Sequence, residues 1–169
     1  MRRESAVEVR ALLDPALQSA LQLEVLSDWG GLDNRISRPR IQKPGLALSG
    51  FVKHVYGDRL QVFGLTEIDY LMSVPEEEAR AGVEKYCKRD ICVMVLTRGL
   101  EPPDVLLEQA KAYGVPVLRT PLMSSSFISR VTRRLEDMLA PRASIHGVLV
   151  DVLGVGLLLI GRSGVGKSE

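Results

Sequence analysis

Cysteine is scarce in this chain: Cys87 and Cys92 are the only two among 169 residues. Two thiols so spaced make neither a disulfide framework nor a usual zinc-ligand pattern, and only His54 and His146 could join them. They read as reduced core thiols near a helix-to-strand junction, with no chemistry of their own. Net charge is nearly absent too, since 22 Lys and Arg face 21 Asp and Glu to leave +1. No global positive field is available to attract nucleic acid or an acidic membrane surface, and neither is expected as a partner. Long apolar runs are missing as well. The longest, residues 91–96 and 155–160, fall far below the roughly 18–20 residues that span a bilayer. Arg2 and Arg3 follow Met1, but no apolar segment of about 7–15 residues succeeds them, so no secretory signal is expected. Repeats and low-complexity tracts are absent. A cytoplasmic, soluble protein is the expectation.

What is present is an ordinary globular mixture, 46% hydrophobic and 25% charged. It suffices for one domain, or for a small domain plus part of another. Leu12, Leu13, Leu17 and Leu21 predict a short helix around Pro15, followed by an extended segment over 23–26. Asp28-Trp29-Gly30-Gly31 and Asp33-Asn34 are turn chemistry. Residues 37–45 carry Pro39 and Pro44 among Arg38, Arg40 and Lys43 and read as a loop or edge segment. Whether Arg35, Arg38, Arg40 and Lys43 are solvated or phosphate-directed is open from sequence.

From residue 46 the pattern sharpens. Residues 46–52 fit strand or helix, and 60–63 read as a strand ended by Gly64. Ser73-Val74-Pro75-Glu76 has the form of a capping box, predicting a helix to about Lys88. Residues 91–96 form a continuous, partly β-branched apolar run, as in a strand buried on both faces. Pro102-Pro103-Asp104 opens another helix with Leu106, Ala110 and Tyr113 on one side, closed by Gly114. Residues 115–118 follow as a strand. This alternation predicts an α/β fold with a largely parallel sheet and right-handed crossover helices. Ser124-Ser125-Ser126 can cap a third helix over 127–139, striped by Ile128, Val131, Leu135 and Met138. Its arginines Arg130, Arg133 and Arg134 read as a solvated face. The expected division is an amino-terminal α/β domain over 1–125, a connecting helix over 126–142, and a second domain beginning at 143.

After Pro141 the texture changes. Val148, Val150 and Val152 predict a strand, Gly154-Val155-Gly156 a turn, and Leu157-Leu158-Leu159-Ile160 a second strand. Then comes Gly161-Arg162-Ser163-Gly164-Val165-Gly166-Lys167-Ser168, a complete G-x-x-x-x-G-K-[ST] phosphate-binding loop. Glycines let the backbone approach phosphate oxygens without Cβ clashes. Successive N–H groups converge on the anion at the start of a helix, whose dipole adds positive potential. Lys167 is expected to reach the β and γ phosphates, and the Ser168 hydroxyl to join a Mg²⁺ shell.

His146-Gly147-Val148-Leu149-Val150-Asp151, Gly154-Val155-Gly156 and the loop through Glu169 closely resemble the HPr kinase/phosphorylase family. Val62-Phe63-Gly64 with Thr66-Glu67 resembles its amino-terminal domain, and residues 124–139 its connecting helix. The resemblance implies a bacterial sensor enzyme that phosphorylates a serine of the phosphocarrier protein HPr, using ATP or pyrophosphate. It also implies the reverse reaction, phosphorolysis by inorganic phosphate. It makes Gly161, Arg162, Ser163, Gly164, Val165, Gly166, Lys167 and Ser168 the nucleotide-phosphate site, with Ser168 also ligating Mg²⁺. His146 and Lys167 match family active-site positions, whereas His146 by itself reads as a structural strand-edge histidine. Arg162 stands where many members carry aspartate. Homo-oligomers, hexamers of the intact enzyme, are implied as well.

The chain stops at Glu169, immediately after the loop. The proton-accepting aspartate, the second acidic metal ligand and the HPr-docking segments are expected beyond it. The expectation is therefore a fragment that is inactive by itself. Two other readings stay open: a different phosphate-loop kinase or GTPase with a regulatory domain, or a non-catalytic assembly or ligand-sensing module.

Overall fold

The structure is a computed structural model that describes residues 5–141 and 147–160. It begins with a short strand β1 (Val7–Glu8), a 3-10 turn (Val9–Leu13) and helix α1 (Pro15–Leu21). Asp14 caps α1 by accepting from Ala16 N–H at 3.2 Å, and proline takes the first helical position, where its missing N–H costs nothing. Strands β2 (Glu24–Ser27) and β3 (Arg35–Ile36) follow, then a 3-10 turn (Gly45–Ser49) that resolves the ambiguous 46–52 segment. β3 pairs antiparallel with β1.

The central sheet combines β2 with β4 (Gln61–Phe63), β5 (Met94–Leu96) and β6 (Val117–Arg119) in the order β2-β6-β5-β4. β4, β5 and β6 are parallel, and β2 runs antiparallel on the β6 edge. A mixed α/β fold with a largely parallel sheet is thus present, as the sequence predicts.

Alternation along the three parallel strands divides the core. Phe63, Met94, Leu96 and Val117 point to one face, and Val62, Val95 and Leu118 to the other. All seven are fully buried, which explains why 91–96 is apolar throughout rather than alternating. The first face carries α2 (Leu65–Ser73), α3 (Glu76–Cys87) and α4 (Asp104–Ala112). The second is covered by α1, the Val9–Leu13 turn and α5 (Ser124–Leu139), through Leu12, Leu21, Phe127, Val131 and Leu135. Cys87 and Cys92 are both buried and free, as expected.

Three local expectations are corrected. α2 is absent from the sequence reading because its cap is Gly64, which offers no side-chain oxygen. Glu67 supplies the other half of the box by accepting from Gly64 N–H at 2.9 Å. Ser73 consequently ends α2, donating to Tyr70 C=O at 2.8 Å, instead of capping α3. α3 starts at Glu76 without a side-chain cap, favoured by Glu76, Glu77 and Glu78 at its positive end. Lastly, the turn joining β7 (Gly147–Val152) to β8 (Val155–Ile160) is Leu153-Gly154, not Gly154-Val155-Gly156. Both turn residues have positive φ, 55° and 83°, the two-residue geometry that matches strand twist.

Candidate functional site

His146 and the loop Gly161, Arg162, Ser163, Gly164, Val165, Gly166, Lys167 and Ser168 lie outside the described residues. What is described is the approach to them. β7 and β8 pair antiparallel from Gly147↔Ile160 to Val152↔Val155, so β8 ends immediately before Gly161. Asp151 fixes the turn by accepting from Gly154 N–H at 2.9 Å. Leu149, Val150, Val152, Val155 and Leu157 stand exposed on this hairpin.

A second polar cluster gathers where α5 starts beside the carboxyl ends of β4 and β5. The Thr97 hydroxyl donates to Phe63 C=O at 3.1 Å and lies 2.6 Å from Ser124 Oγ. Thr97 has one hydroxyl proton and has committed it, so Ser124 is the donor in that pair. This is the use made of the Ser124 side chain, which the sequence reading assigned to capping; the cap residue of α5 is Met123, with no side-chain bond. Gly64 sits against the same cluster. A Cβ there would lie 3.1 Å from Ser124 Oγ, 3.3 Å from Glu67 Oε2 and 3.5 Å from Lys43 Nζ.

Glu67 is buried, and both its oxygens are engaged, Oε2 by Gly64 N–H and Oε1 by Lys43 Nζ at 3.4 Å. With each oxygen committed and the side chain buried, Glu67 is not presented to a substrate. It is a structural anion that ties the 37–45 loop to α2, and the cluster as a whole anchors the start of α5 to the sheet. The buried thiols are equally unsuited to nucleophilic work. Burial pushes Cys87 and Cys92 up to about 12, whereas a reactive cysteine needs a lowered value. Among the described residues no three His, Cys, Asp or Glu side chains converge as a metal site. No helix there is long and apolar enough to cross a membrane.

One buried network escaped the sequence reading. Gln61, fully buried on β4, accepts from Tyr86 O–H at 2.7 Å. Its amide donates to Tyr56 C=O at 2.9 Å and Arg59 C=O at 2.7 Å. Gln42 holds the same segment from outside, donating to His54 C=O and accepting from Tyr56 N–H. A polar residue inside an apolar strand was the available signal.

Comparison with known proteins places this arrangement in a class. Residues 7–135 match the family model described as HPr Serine kinase N terminus, and residues 137–169 that of the HPr Serine kinase C-terminal domain. The chain belongs to the HPr serine kinase family. Among its relatives, the HPr kinase/phosphorylase of Geobacter sulfurreducens is 47% identical over 97% of this chain and 51% of its own length. That of Bacillus licheniformis is 43% identical over 88% of this chain and 48% of its own. The chain spans about half the length of the curated relatives it matches. A crystal structure of the CBS and DRTGG domains of the regulatory region of Clostridium perfringens pyrophosphatase, complexed with diadenosine tetraphosphate, aligns with a TM-score of 0.50. It covers 78% of this chain and 51% of that one at 11% identity, a likeness of fold alone.

Proposed function

We propose that this chain forms the amino-terminal half of a bifunctional HPr(Ser) kinase/phosphorylase. In this reading residues 1–125 are the amino-terminal α/β domain, 126–142 the connecting helix and 143–169 the opening of the kinase domain. The observation that carries it is the complete G-x-x-x-x-G-K-S loop directly after β8, within the segment that matches the kinase-domain family model. The exposed apolar side chains of the β7–β8 hairpin fit strands that belong to a larger sheet.

In the forward reaction the HPr serine oxygen attacks the γ-phosphorus of ATP, or a phosphorus of pyrophosphate, and the bridging P–O bond breaks. The hydroxyl proton passes to a general base. In reverse, an oxygen of inorganic phosphate attacks the phosphoserine phosphorus, freeing the serine hydroxyl and forming pyrophosphate. The 161–166 backbone would cradle the phosphates, and Lys167 would neutralise charge that grows on the oxygens as the bond breaks. Ser168 would hold Mg²⁺, which offsets phosphate charge when bound. His146 is assigned to the active site. The enzyme is proposed to act in the cytoplasm as a homo-oligomer, a hexamer when intact.

The test is transfer of labelled phosphate from ATP to HPr by the full-length protein. The reading expects label on one HPr serine, lost when Lys167 is changed to Ala, and no transfer by residues 1–169 alone. Absence of transfer by the full-length protein would remove the kinase assignment.

A further inference from the structure

The charge that is missing overall is concentrated locally. Residues 34–66 hold Arg35, Arg38, Arg40, Lys43, Lys53 and Arg59 against Asp58 alone before Glu67. Three of these cations meet in one groove of about 400 Å³ lined by Arg38, Pro39, Arg40, Tyr56, Asp58 and Arg59. That volume falls within the roughly 300–1,000 Å³ of small-molecule sites.

Asp58 is already engaged, accepting from Ser37 Oγ at 2.5 Å and facing Arg38 Nε at 3.6 Å. Among the described residues neither Arg40 nor Arg59 has an acidic partner within 4.0 Å. The groove therefore carries an excess of two positive charges. Arg59 is held in a particular way. Its guanidinium carbon lies 4.2 Å above the Tyr56 ring, which restricts the fork to one plane. Its Nε is the only buried side-chain polar atom without a hydrogen-bond partner among the described residues. A donor withdrawn from water and left unmatched is unfavourable, and a native structure keeps one where something compensates.

The backbone beneath the groove is fixed rather than adaptable. The Gln61 amide holds the carbonyls of Tyr56 and Arg59, Gln42 holds Tyr56 N–H, and Cys92 N–H donates to Gly57 C=O at 2.9 Å. A Cβ on Gly57 would lie 2.1 Å from Arg89 C=O, so this turn is pressed against the end of α3 with no slack. A fixed backbone under the groove and the stacking of Arg59 on Tyr56 lower the entropy lost when an anion binds.

We propose that this groove is a binding site for a small phosphate-class oxyanion, made of residues other than those of the phosphate loop, with Arg40 and Arg59 as its principal ligands. The planar fork of arginine matches the paired oxygens of a phosphoryl group. Three arginines against the single carboxylate of Asp58 in its lining argue for an anionic occupant over a neutral or hydrophobic one.

The test uses residues 1–169 carrying Lys167→Ala, which weakens binding at the loop, and reads the groove separately through Arg59 and its variants. Inorganic phosphate and pyrophosphate are titrated separately, with chloride holding ionic strength constant. The readouts are calorimetry and the NMR signal of Arg59 Nε–H. A saturable shift of that signal is expected, together with an affinity that falls at least tenfold for Arg59→Gln or Arg40→Gln. Arg133→Gln on α5 should leave it unchanged, and Arg59→Lys should restore it only in part. The stronger of the two titrants indicates whether one phosphoryl group or two are recognised. No saturable shift with either, or equal weakening by Arg133→Gln, would overturn the proposal. Circular dichroism of each variant confirms that the fold persists.

Discussion

Gly82 lies inside α3, where alanine would ordinarily stabilise a helix by about 1 kcal/mol. The structure reverses that sign. A Cβ built on Gly82 would stand 1.9 Å from the Leu48 carbonyl oxygen and 3.0 Å from its carbon. Both contacts are with backbone, so no rotamer change can relieve them. Ordinary C···O approaches begin near roughly 3.3 Å, so α3 and the Gly45–Ser49 turn would have to part by more than ~1 Å. That separation would loosen Ala47 and Leu48 against Ala79, Val83 and Tyr86, all buried in one cluster. Overpacking of this kind costs about 1–3 kcal/mol, more when backbone must move. Because the clash is with backbone, the upper part of that range applies, and Gly82→Ala should destabilise the amino-terminal unit by about 1–2 kcal/mol after the helix gain of about 1 kcal/mol is subtracted. For a unit of this size that corresponds to a melting temperature lower by very roughly 4 °C per kcal/mol. Urea denaturation followed by the fluorescence of Trp29, the chain's single tryptophan, measures it directly. Ser129→Ala on the exposed side of α5 is the control and should be neutral or slightly stabilising. A Gly82→Ala protein as stable as the parent, or more so, would refute the close packing of α3 on this turn.

Other consequences can be measured alongside. Cys87 and Cys92 should resist thiol reagents at pH 8 in the folded protein and react after unfolding, since burial raises both thiols from 9.0 to about 12. Because the folded values lie above the unfolded ones, their contribution is fully present below pH 9 and is lost as the pH rises toward 12. The slope approaches about 1.4 kcal/mol per pH unit for each thiol; flat alkaline stability in denaturant titrations would contradict their burial. Thr97→Val keeps shape but leaves Ser124 Oγ without its acceptor, and should cost about 1–2 kcal/mol in the same denaturation assay. Unchanged stability would mean that the hydroxyl pair does not anchor α5.

The parts of the fold legible from sequence are those in which burial and alternation coincide. The 91–96 run announces β5 because both faces of that strand are covered, and Pro15 and Pro103 mark helix starts where a missing N–H is harmless. α2 is not legible because a glycine cap carries no hydroxyl signal, and Ser73, which ends it, has the spacing of a cap for the next helix. Ser124 illustrates the same limit: a hydroxyl at a helix beginning can serve a cap or a neighbouring strand, and only the tertiary position of Thr97 decides. The β7–β8 turn differs from its sequence expectation because Leu153, bulky and fully exposed, adopts a positive φ that composition assigns to glycine. For the site, the phosphate loop is written locally in residue types, so its expectation needed no tertiary knowledge. The arginine groove is the opposite case. Arg38, Arg40 and Arg59 are separated by a turn and a loop, and nothing in their spacing shows that Gln42 and Gln61 hold them together.

The central claim is that this chain contributes the phosphate loop of an HPr kinase/phosphorylase, and the most direct measurement runs the reaction both ways in the full-length protein. Wild-type and Lys167→Ala enzymes are given HPr with ATP, and separately phosphoserine-HPr with inorganic phosphate, while phosphoserine and pyrophosphate are quantified. The account predicts phosphoserine in the first and pyrophosphate in the second for the wild type. It predicts both falling by orders of magnitude in the variant, with circular dichroism unchanged. Near-normal turnover in a folded Lys167→Ala protein would contradict it.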